Sequence, residues 1–226
     1  MVLQQGGQMI DVIYEDNHLL VLNKPINVPM QEDSSKDEDL LSIAKQYLKE
    51  KYNKPGNVYL GLVHRLDRPV SGVCVFAKTS KAASRLSRQI QNHEFSKEYL
   101  AVCDDNGLKD SDIFKDKLLK DSKTNMVKVD KNGKDALLSY KVLNRKDNLV
   151  LVQIDLYTGR SHQIRVQFSS RNHSLWGDQR YNKNSLKGQQ IALHSYKITF
   201  KHPITNQIIS FTSNVDRRPF NKLFLI

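Results

Sequence analysis

The chain has 226 residues and a formal charge of +11, because 35 lysines and arginines outnumber 24 aspartates and glutamates. A composition that is 39% apolar and 26% charged is typical of a soluble globular protein and excludes a disordered chain. The longest aliphatic runs, such as LLVL (19–22) and LVLV (149–152), are too short to span a bilayer, and the excess of positive charge favours a polyanionic partner.

The first third of the chain predicts short strands and one helix. DVIYEDNHLLVLNKP (11–25) alternates apolar and polar residues around an EDN turn, which indicates two strands. A polar loop (31–39) precedes apolar residues at near-helical spacing, which predict a helix over about 39–52. VYLGLVH (58–64) and GVCVFAK (72–78) are predicted strands.

The middle of the chain predicts a second helix and a less regular stretch. The helix should begin at a capping residue, Thr79 or Ser80, because the apolar residues that follow share one face. SKEYLAVC (96–103) is a predicted strand. Residues 104–134 are rich in Lys, Asp, Asn and Gly and are interpreted as a weakly structured insertion with a short strand at MVKV (126–129).

The last third predicts more strands and one helical segment. ALLSYKVL (136–143) and LVLVQIDL (149–156), joined by an NRKDN turn, indicate a hairpin. SHQIRVQF (161–168) has apolar residues one helical turn apart, and ALHSYKITF (192–200) and QIISFTS (207–213) are predicted strands. Many strands with few helices and no regular β–α alternation predict an α+β fold with a mixed, largely antiparallel sheet.

The sequence contains two cysteines, Cys74 and Cys103, and each lies in a predicted strand. Buried free thiols are the expected state, because a pair of cysteines in a chain of this size is no disulfide framework. The N-terminal MVLQQGGQMI lacks the pattern of a secretory signal, so we expect a cytoplasmic protein.

Asp67 lies between two arginines in VHRLDRPVSGV (63–73), at the end of a predicted strand. Nearby cations favour the ionised form of a carboxylate, so we expect Asp67 to be an anion. Such an aspartate can be a nucleophile, a general base, a metal ligand or half of an ion pair, and spacing alone favours the structural ion pair.

Other chemistries have weaker support. A metal site would combine Asp67 and His64 with His162 or His194, but the neighbouring arginines disfavour a cation and no HExxH motif is present. The sequence has no G-x-S-x-G elbow, phosphate loop or dinucleotide fingerprint. The residues alone therefore indicate a basic α+β protein with an ionised aspartate among arginines.

The segment GLVHRLDRPVSGVCVFAKTSKAA (61–83) resembles the HRLD signature of the RluA-type family of RNA pseudouridine synthases. Five further segments resemble motifs of that family, and the resemblance covers about residues 11–213: YEDNHLLVLNKP, FSKEYLAV, TGRSHQIRVQF, GDQRYN and LHSYKITFKHPIT. HRLD followed by GRSHQIRV at this separation is the most specific combination.

The resemblance implies that residues 1–226 form a single catalytic domain, with a bent sheet in two halves and a cleft between them. It implies cleavage of the C1′–N1 bond of a uridine, rotation of the base and rejoining through C5, without a cofactor or a metal. Asp67 matches the family's nucleophile and Tyr99 the aromatic residue against the target base. Arg165 matches the basic partner of the aspartate, and Leu193 a hydrophobic wall of the pocket.

The resemblance also implies RNA as the partner. A uridine inside a helix must be extruded, and Arg65 is predicted to take its vacated place. His64 is assigned to substrate binding, and four further arginines are predicted to contact phosphates without reading the sequence: Arg68, Arg85, Arg88 and Arg160.

The expected substrate is a stem–loop of ribosomal or transfer RNA, because ten residues ahead of the domain cannot hold the S4-like RNA-binding module of many relatives. We expect a monomer that binds neither DNA nor membranes. Val70, Asn27 and Gln167 depart from the family's usual Thr, Gly and His. The alternative is a non-catalytic RNA-binding or assembly protein on the same scaffold.

Overall fold

A computed structural model describes residues 2–5, 8–215 and 217–223. Within them lie, in chain order, β1 (Val2–Gln5), β2 (Gln8–Glu15), β3 (Leu19–Lys24), α1 (Leu40–Lys51), β4 (Gly61–Leu62), β5 (Ser71–Ala77), α2 (Ser80–Gln91), β6 (Ser96–Asp104), β7 (Ser111–Lys120), β8 (Val127–Val129), β9 (Lys134–Lys146), β10 (Leu149–Leu156), α3 (Gln163–Ser169), β11 (Leu193–Lys201), β12 (Ile208–Thr212) and α4 (Phe220–Leu223). The predicted α+β class is confirmed.

The chain divides into two compact units, of which the first comprises Met1–Phe95 and Lys197–Ser213. Its strands pair antiparallel in the order β1-β2-β3-β5, β4 adds to β5, and the end of β11 pairs with β12. Leu19–Leu22 and the whole of β5 are buried, which explains their continuous apolar runs.

Two predicted helices of this unit are confirmed. The N-cap Asp39 of α1 accepts a hydrogen bond from Ser42 N at 3.1 Å, and the N-cap Thr79 of α2 accepts one from Ala82 N at 3.2 Å. Ala82 and Leu86 of α2 are fully buried in the core formed with β3 and β5.

The strand predicted over 58–64 is wrong at both ends, since only Gly61 and Leu62 pair with β5. At the next position along β5 a side chain replaces the backbone carbonyl as hydrogen-bond acceptor, because Val75 N donates to His64 Nε2 at 3.1 Å. The main chain can therefore leave the sheet after Leu62 without stranding a buried N–H group.

The second unit comprises Ser96–Tyr196 and Asn214–Ile226. Its strands pair antiparallel in the order β6-β10-β9-β7-β8. On one face Phe168 of α3 packs on Phe114 and Tyr140, with ring centroids 5.2 and 5.4 Å apart. Phe220 belongs to the core cluster that includes Leu100, Val102 and Leu151.

The interpretation of residues 104–134 as weakly structured is wrong. β7 pairs with β9 over eight positions, and β8, close to the predicted MVKV strand, pairs with β7. Phe114 and Leu118 are buried while Lys115 and Lys117 are exposed, so a strand period is present but concealed by many charged residues.

The predicted hairpin of β9 and β10 is confirmed, with a tighter turn than NRKDN. Asp147 and Asn148 form it, with φ of 51° and 60°, values that both residue types tolerate. Cys74 and Cys103 are buried free thiols, as predicted, and burial raises the pKa of Cys74 to about 12. In the part of the chain that the structure describes, no helix is long and apolar enough to cross a membrane.

Candidate active site

Asp67 lies on a turn just before β5. Its carbonyl accepts a hydrogen bond from Val70 N at 2.9 Å, and its side chain is half-buried. The turn ends at Val70, since Ser71 and Gly72 already belong to β5. Gly72 has φ of 118°, which only glycine adopts without strain, so the backbone enters β5 in a way that a side chain would hinder.

Lys24 fixes this turn from the end of β3. Its fully buried ammonium donates to three carbonyls, those of Pro25 and Arg68 at 2.9 Å and of Val70 at 2.7 Å. Burial lowers the pKa of Lys24 to about 8, although the charge of Asp67 opposes that shift. The sequence analysis missed this residue, whose only signal is a lysine that ends an apolar strand ahead of a proline.

Arg68 braces a second loop against the same turn. Its guanidinium donates to Asn27 O at 3.1 Å and to Ser35 Oγ at 2.9 Å, and it forms an ion pair with Asp37. Asn27 has φ of 63°, so asparagine does adopt the conformation of the glycine that it replaces. The predicted phosphate contact of Arg68 therefore competes with an existing carboxylate.

The other predicted residues of the first unit differ in how far they are engaged. His64 is half-buried; its Nε2 accepts from Val75 N, and its ring lies 5.6 Å from that of Phe95. Arg85 donates to the carbonyl of Pro203. Arg65 and Arg88 are exposed, and neither guanidinium is bonded to another residue among those that the structure describes.

Tyr99 and Arg165 are both buried in the second unit, at 6% and 4% exposure. Tyr99 lies in β6 opposite Ile154. Arg165 lies in α3 and forms a two-pronged ion pair with Asp178, through Nε at 2.8 Å and Nη2 at 2.7 Å. The backbone N–H of Arg180 also binds this carboxylate, at 3.0 Å. GDQRYN thus supplies the residue that orients Arg165, a role that the sequence analysis did not assign.

Tyr181 links the start of α3 to β8. Its hydroxyl accepts from Val127 N at 2.9 Å and lies 2.8 Å from His162 Nδ1, and its ring lies 5.2 Å from the guanidinium carbon of Arg165. His162 has φ of 51°, a left-handed conformation just before the helix. The segment interpreted as an insertion therefore helps to hold the residues around Arg165.

Arg160 and Leu193 complete the predicted set. Arg160 is exposed and donates through Nε to Asp135 O at 2.8 Å, while Leu193 is buried at the start of β11. Asp67 belongs to the first unit and Tyr99 and Arg165 to the second, so the predicted pairing of Asp67 with Arg165 stays a prediction. Among the described residues, no group of three His, Cys, Asp or Glu side chains could hold a metal ion.

Known proteins resemble this chain along most of its length. A model of the RNA pseudouridylate synthase family matches residues 18–170. Ribosomal large subunit pseudouridine synthase D of Zymomonas mobilis is 32% identical over 221 residues, which cover 91% of this chain and 69% of that protein. Ribosomal large subunit pseudouridine synthase C of Buchnera aphidicola is 33% identical over 218 residues, with 91% and 67% covered.

Among solved structures, human RNA pseudouridylate synthase domain containing 4 has a TM-score of 0.77 over 92% of this chain and 89% of its own, at 18% identity. That likeness shows the fold, and the family model shows the class, an enzyme that isomerises uridine in RNA. The chain belongs to the RNA pseudouridylate synthase family. The resemblance inferred from HRLD and GRSHQIRV is confirmed.

Proposed function

We propose that this chain converts specific uridines of ribosomal RNA to pseudouridine, with Asp67 as the nucleophile. The main support is the turn that presents Asp67, because a buried lysine holds the carbonyls of Arg68 and Val70 just after Asp67, while Asp67 itself is only half-buried. The names of the two bacterial relatives, which are ribosomal large subunit synthases, favour ribosomal over transfer RNA.

In the proposed reaction the carboxylate of Asp67 bonds to the target nucleoside and the C1′–N1 bond breaks. The base turns, C5 bonds to C1′, and the bond to Asp67 breaks, which returns the free carboxylate. C5 loses its proton and N1 gains one, so the product is an isomer and no redox partner is needed. An ionised carboxylate is the form that attacks, and Arg165 is proposed to keep Asp67 ionised and oriented. Asp178 already forms two hydrogen bonds with the guanidinium of Arg165. The proposed ion pair between Arg165 and Asp67 therefore need not be strong, and a weaker pair preserves the nucleophilicity of Asp67.

The remaining residues are proposed to bind RNA. Tyr99 offers a flat face to the uracil and a hydroxyl for proton transfer at C5, and Leu193 closes the pocket. Arg65 takes the place of the extruded base. Arg88 and Arg160 contact phosphates, while Arg68, Arg85 and His64 hold the protein around the site.

The substrate is proposed to be a compact stem–loop, bound by a monomer. Such an enzyme works where ribosomal RNA is made, and the reduced thiols of Cys74 and Cys103 suit the cytoplasm.

Release of tritium from C5-labelled uridine tests the proposal. Wild-type protein should release tritium from unmodified ribosomal RNA, and Asp67→Asn, which keeps the shape of the side chain, should reduce the rate at least about 1,000-fold, in line with the loss of a nucleophile. Asp147→Asn, in the exposed turn between β9 and β10, is the matched control and should retain wild-type activity.

The same assay separates the alternatives. RNA binding without release by the wild type would identify a non-catalytic protein on the synthase scaffold. Release from transfer RNA alone would correct the substrate, and release that persists in Asp67→Asn would refute the role of Asp67.

A further inference from the structure

Lys97 is a buried lysine beside the proposed base-contacting residue. It lies in β6 two positions before Tyr99, so both side chains point to the same face of the sheet, with Cα atoms about 7 Å apart. Lys97 is only 9% exposed. Lysines are almost never buried to this degree without a partner, because removing an ammonium from water is costly.

Lys97 has no such partner in the described structure. Across residues 2–5, 8–215 and 217–223, no hydrogen bond or ion pair engages its Nζ atom. Burial lowers the pKa of Lys97, and no nearby charge opposes the shift. Lys24 makes the contrast clear, since its ammonium is also buried but donates to three carbonyls.

The space beside the ammonium is bounded by a fixed loop. A Cβ atom built on Gly159 would lie 3.5 Å from Lys97 Nζ, so the glycine leaves that side uncovered. Gln163 fixes the loop, because its Oε1 lies 2.8 Å from Thr158 Oγ1 and 3.1 Å from Arg160 N. Gly159 itself is exposed, so a molecule from solvent can reach this position.

We infer that Lys97 binds a phosphate of the RNA strand that carries the target uridine, next to the base held by Tyr99. The inference rests on the proposed function. A phosphate is favoured over a uracil carbonyl because only a full negative charge compensates a buried ammonium, and charge-assisted hydrogen bonds are the stronger ones. Arg160, adjacent to Gly159, brings a second cation to the same loop.

Binding of an unmodified transcript of large-subunit ribosomal RNA, measured over a range of salt concentrations, tests this assignment. Lys97→Met should raise Kd about tenfold and reduce the slope of log Kd against log salt by about 0.7–0.9, the value for one lost phosphate contact. Lys97→Arg should restore most of the slope. Lys141→Met, which removes an exposed charge from β9, is the control and should bind as the wild type does.

Thermal unfolding of the free protein supplies a readout that a structural lysine would not give. Lys97→Met replaces a largely buried charge, which has no partner in the described protein, by an apolar side chain of similar length, so Tm should rise by about 2–4 °C. A fall in Tm, or a wild-type salt slope, would overturn the assignment. Loss of tritium release with unchanged Kd and slope would assign Lys97 to the uracil and overturn it too.

Failure of this assignment can be distinguished from failure of the proposed function. If the wild type releases no tritium but Lys97→Met still lowers the salt slope, the enzymatic proposal fails and the phosphate site stands. If the wild type is active and Lys97→Met binds RNA with the wild-type slope, the reverse holds.

Discussion

At the scale of single residues, Lys24 shows how a buried cation can fix the backbone around a carboxylate without pairing with it. Its three protons go to the carbonyls of Pro25, Arg68 and Val70, not to the carboxylate of Asp67. The three carbonyls thereby have a hydrogen-bond donor within the protein and need no water molecule in the core. The ammonium therefore sets the path of the backbone that carries Asp67, the proposed nucleophile.

Lys24→Met should consequently damage both stability and activity. Removal of the ammonium leaves three carbonyls without their donor, and we expect a loss of about 2–4 kcal/mol in the free energy of unfolding. The measurement is urea unfolding, with Lys49→Met, an exposed lysine in the last turn of α1, as the control. At a temperature where Lys24→Met is still folded, the kcat for tritium release should be lower than in the wild type, because the turn that carries Asp67 is no longer fixed. Wild-type stability and kcat in this variant would contradict the role of Lys24.

Asp178 shows what a linear pattern conceals. The sequence assigned Arg165 a carboxylate partner from the HRLD motif, and the resemblance alone supplied that expectation. The structure shows a different carboxylate, that of Asp178, which lies 13 positions further along the chain and binds two guanidinium nitrogens. GDQRYN was recognised as a motif, but nothing in its spacing shows which of its side chains turns towards α3.

At the scale of elements, apolar periodicity predicted the helices and strands well wherever the apolar residues of a segment pack into a single hydrophobic core. β3, β5, α1 and α2 all lie within a few residues of their predicted bounds, because burial selects the same residues that the pattern shows. β7 was missed because only Phe114 and Leu118 mark its inner face among lysines and aspartates. The prediction of a strand over 58–64 was wrong because apolar residues can be buried without pairing in a sheet. Val58 and Leu60 are buried but lie outside the paired residues of β4.

Glu15 joins three elements of the first unit. This carboxylate at the end of β2 accepts hydrogen bonds at 2.6–2.9 Å from four side chains of α1, its C-cap and the residue after β5: Tyr47, Lys51, Tyr52 and Lys78. Burial alone would raise the pKa of Glu15, but these hydrogen bonds outweigh burial and lower it to about 2.

The stability of the protein should therefore fall in acid through Glu15. Its pKa is near 4.5 in the unfolded chain and about 2 in the folded one, so the stabilisation is complete above pH 4.5 and is lost as pH falls towards 2. The full contribution is about 3 kcal/mol, from 2.5 units at 1.36 kcal/mol each. The difference in unfolding free energy between wild type and Glu15→Gln, measured by urea titration at several pH values, should shrink over that window. Glu50→Gln, at an exposed position of α1, is the control. A difference that is constant from pH 6 to pH 3 would contradict the role of Glu15.

At the scale of the whole molecule, the formal charge of +11 overstates the number of cations that remain for RNA. Within the described part of the chain, arginines already paired with carboxylates include Arg68 with Asp37, Arg145 with Asp105 and Asp110, Arg165 with Asp178, and Arg171 with Asp116. The sequence shows that arginines cluster, but only the structure shows which of them are engaged. The charges proposed for phosphates are accordingly those of Arg88, Arg160 and Lys97, while Arg65 is proposed to take the place of the extruded base.

The salt dependence of RNA binding should therefore follow the number of proposed phosphate contacts, and not the formal charge of the chain. Three phosphate contacts predict a slope of log Kd against log salt of about 2–3, at 0.7–0.9 per contact. Replacing Arg88 and Arg160 together by Gln should lower that slope by about 1.5, because each of the two contributes one contact. The matched control replaces Arg145 and Arg171 by Gln, which removes the same formal charge from side chains that are bonded to carboxylates. If both double variants lose slope equally, net charge alone governs binding and the arginines have no individual roles; a shallow slope in the wild type would argue against phosphate contacts as the main source of affinity.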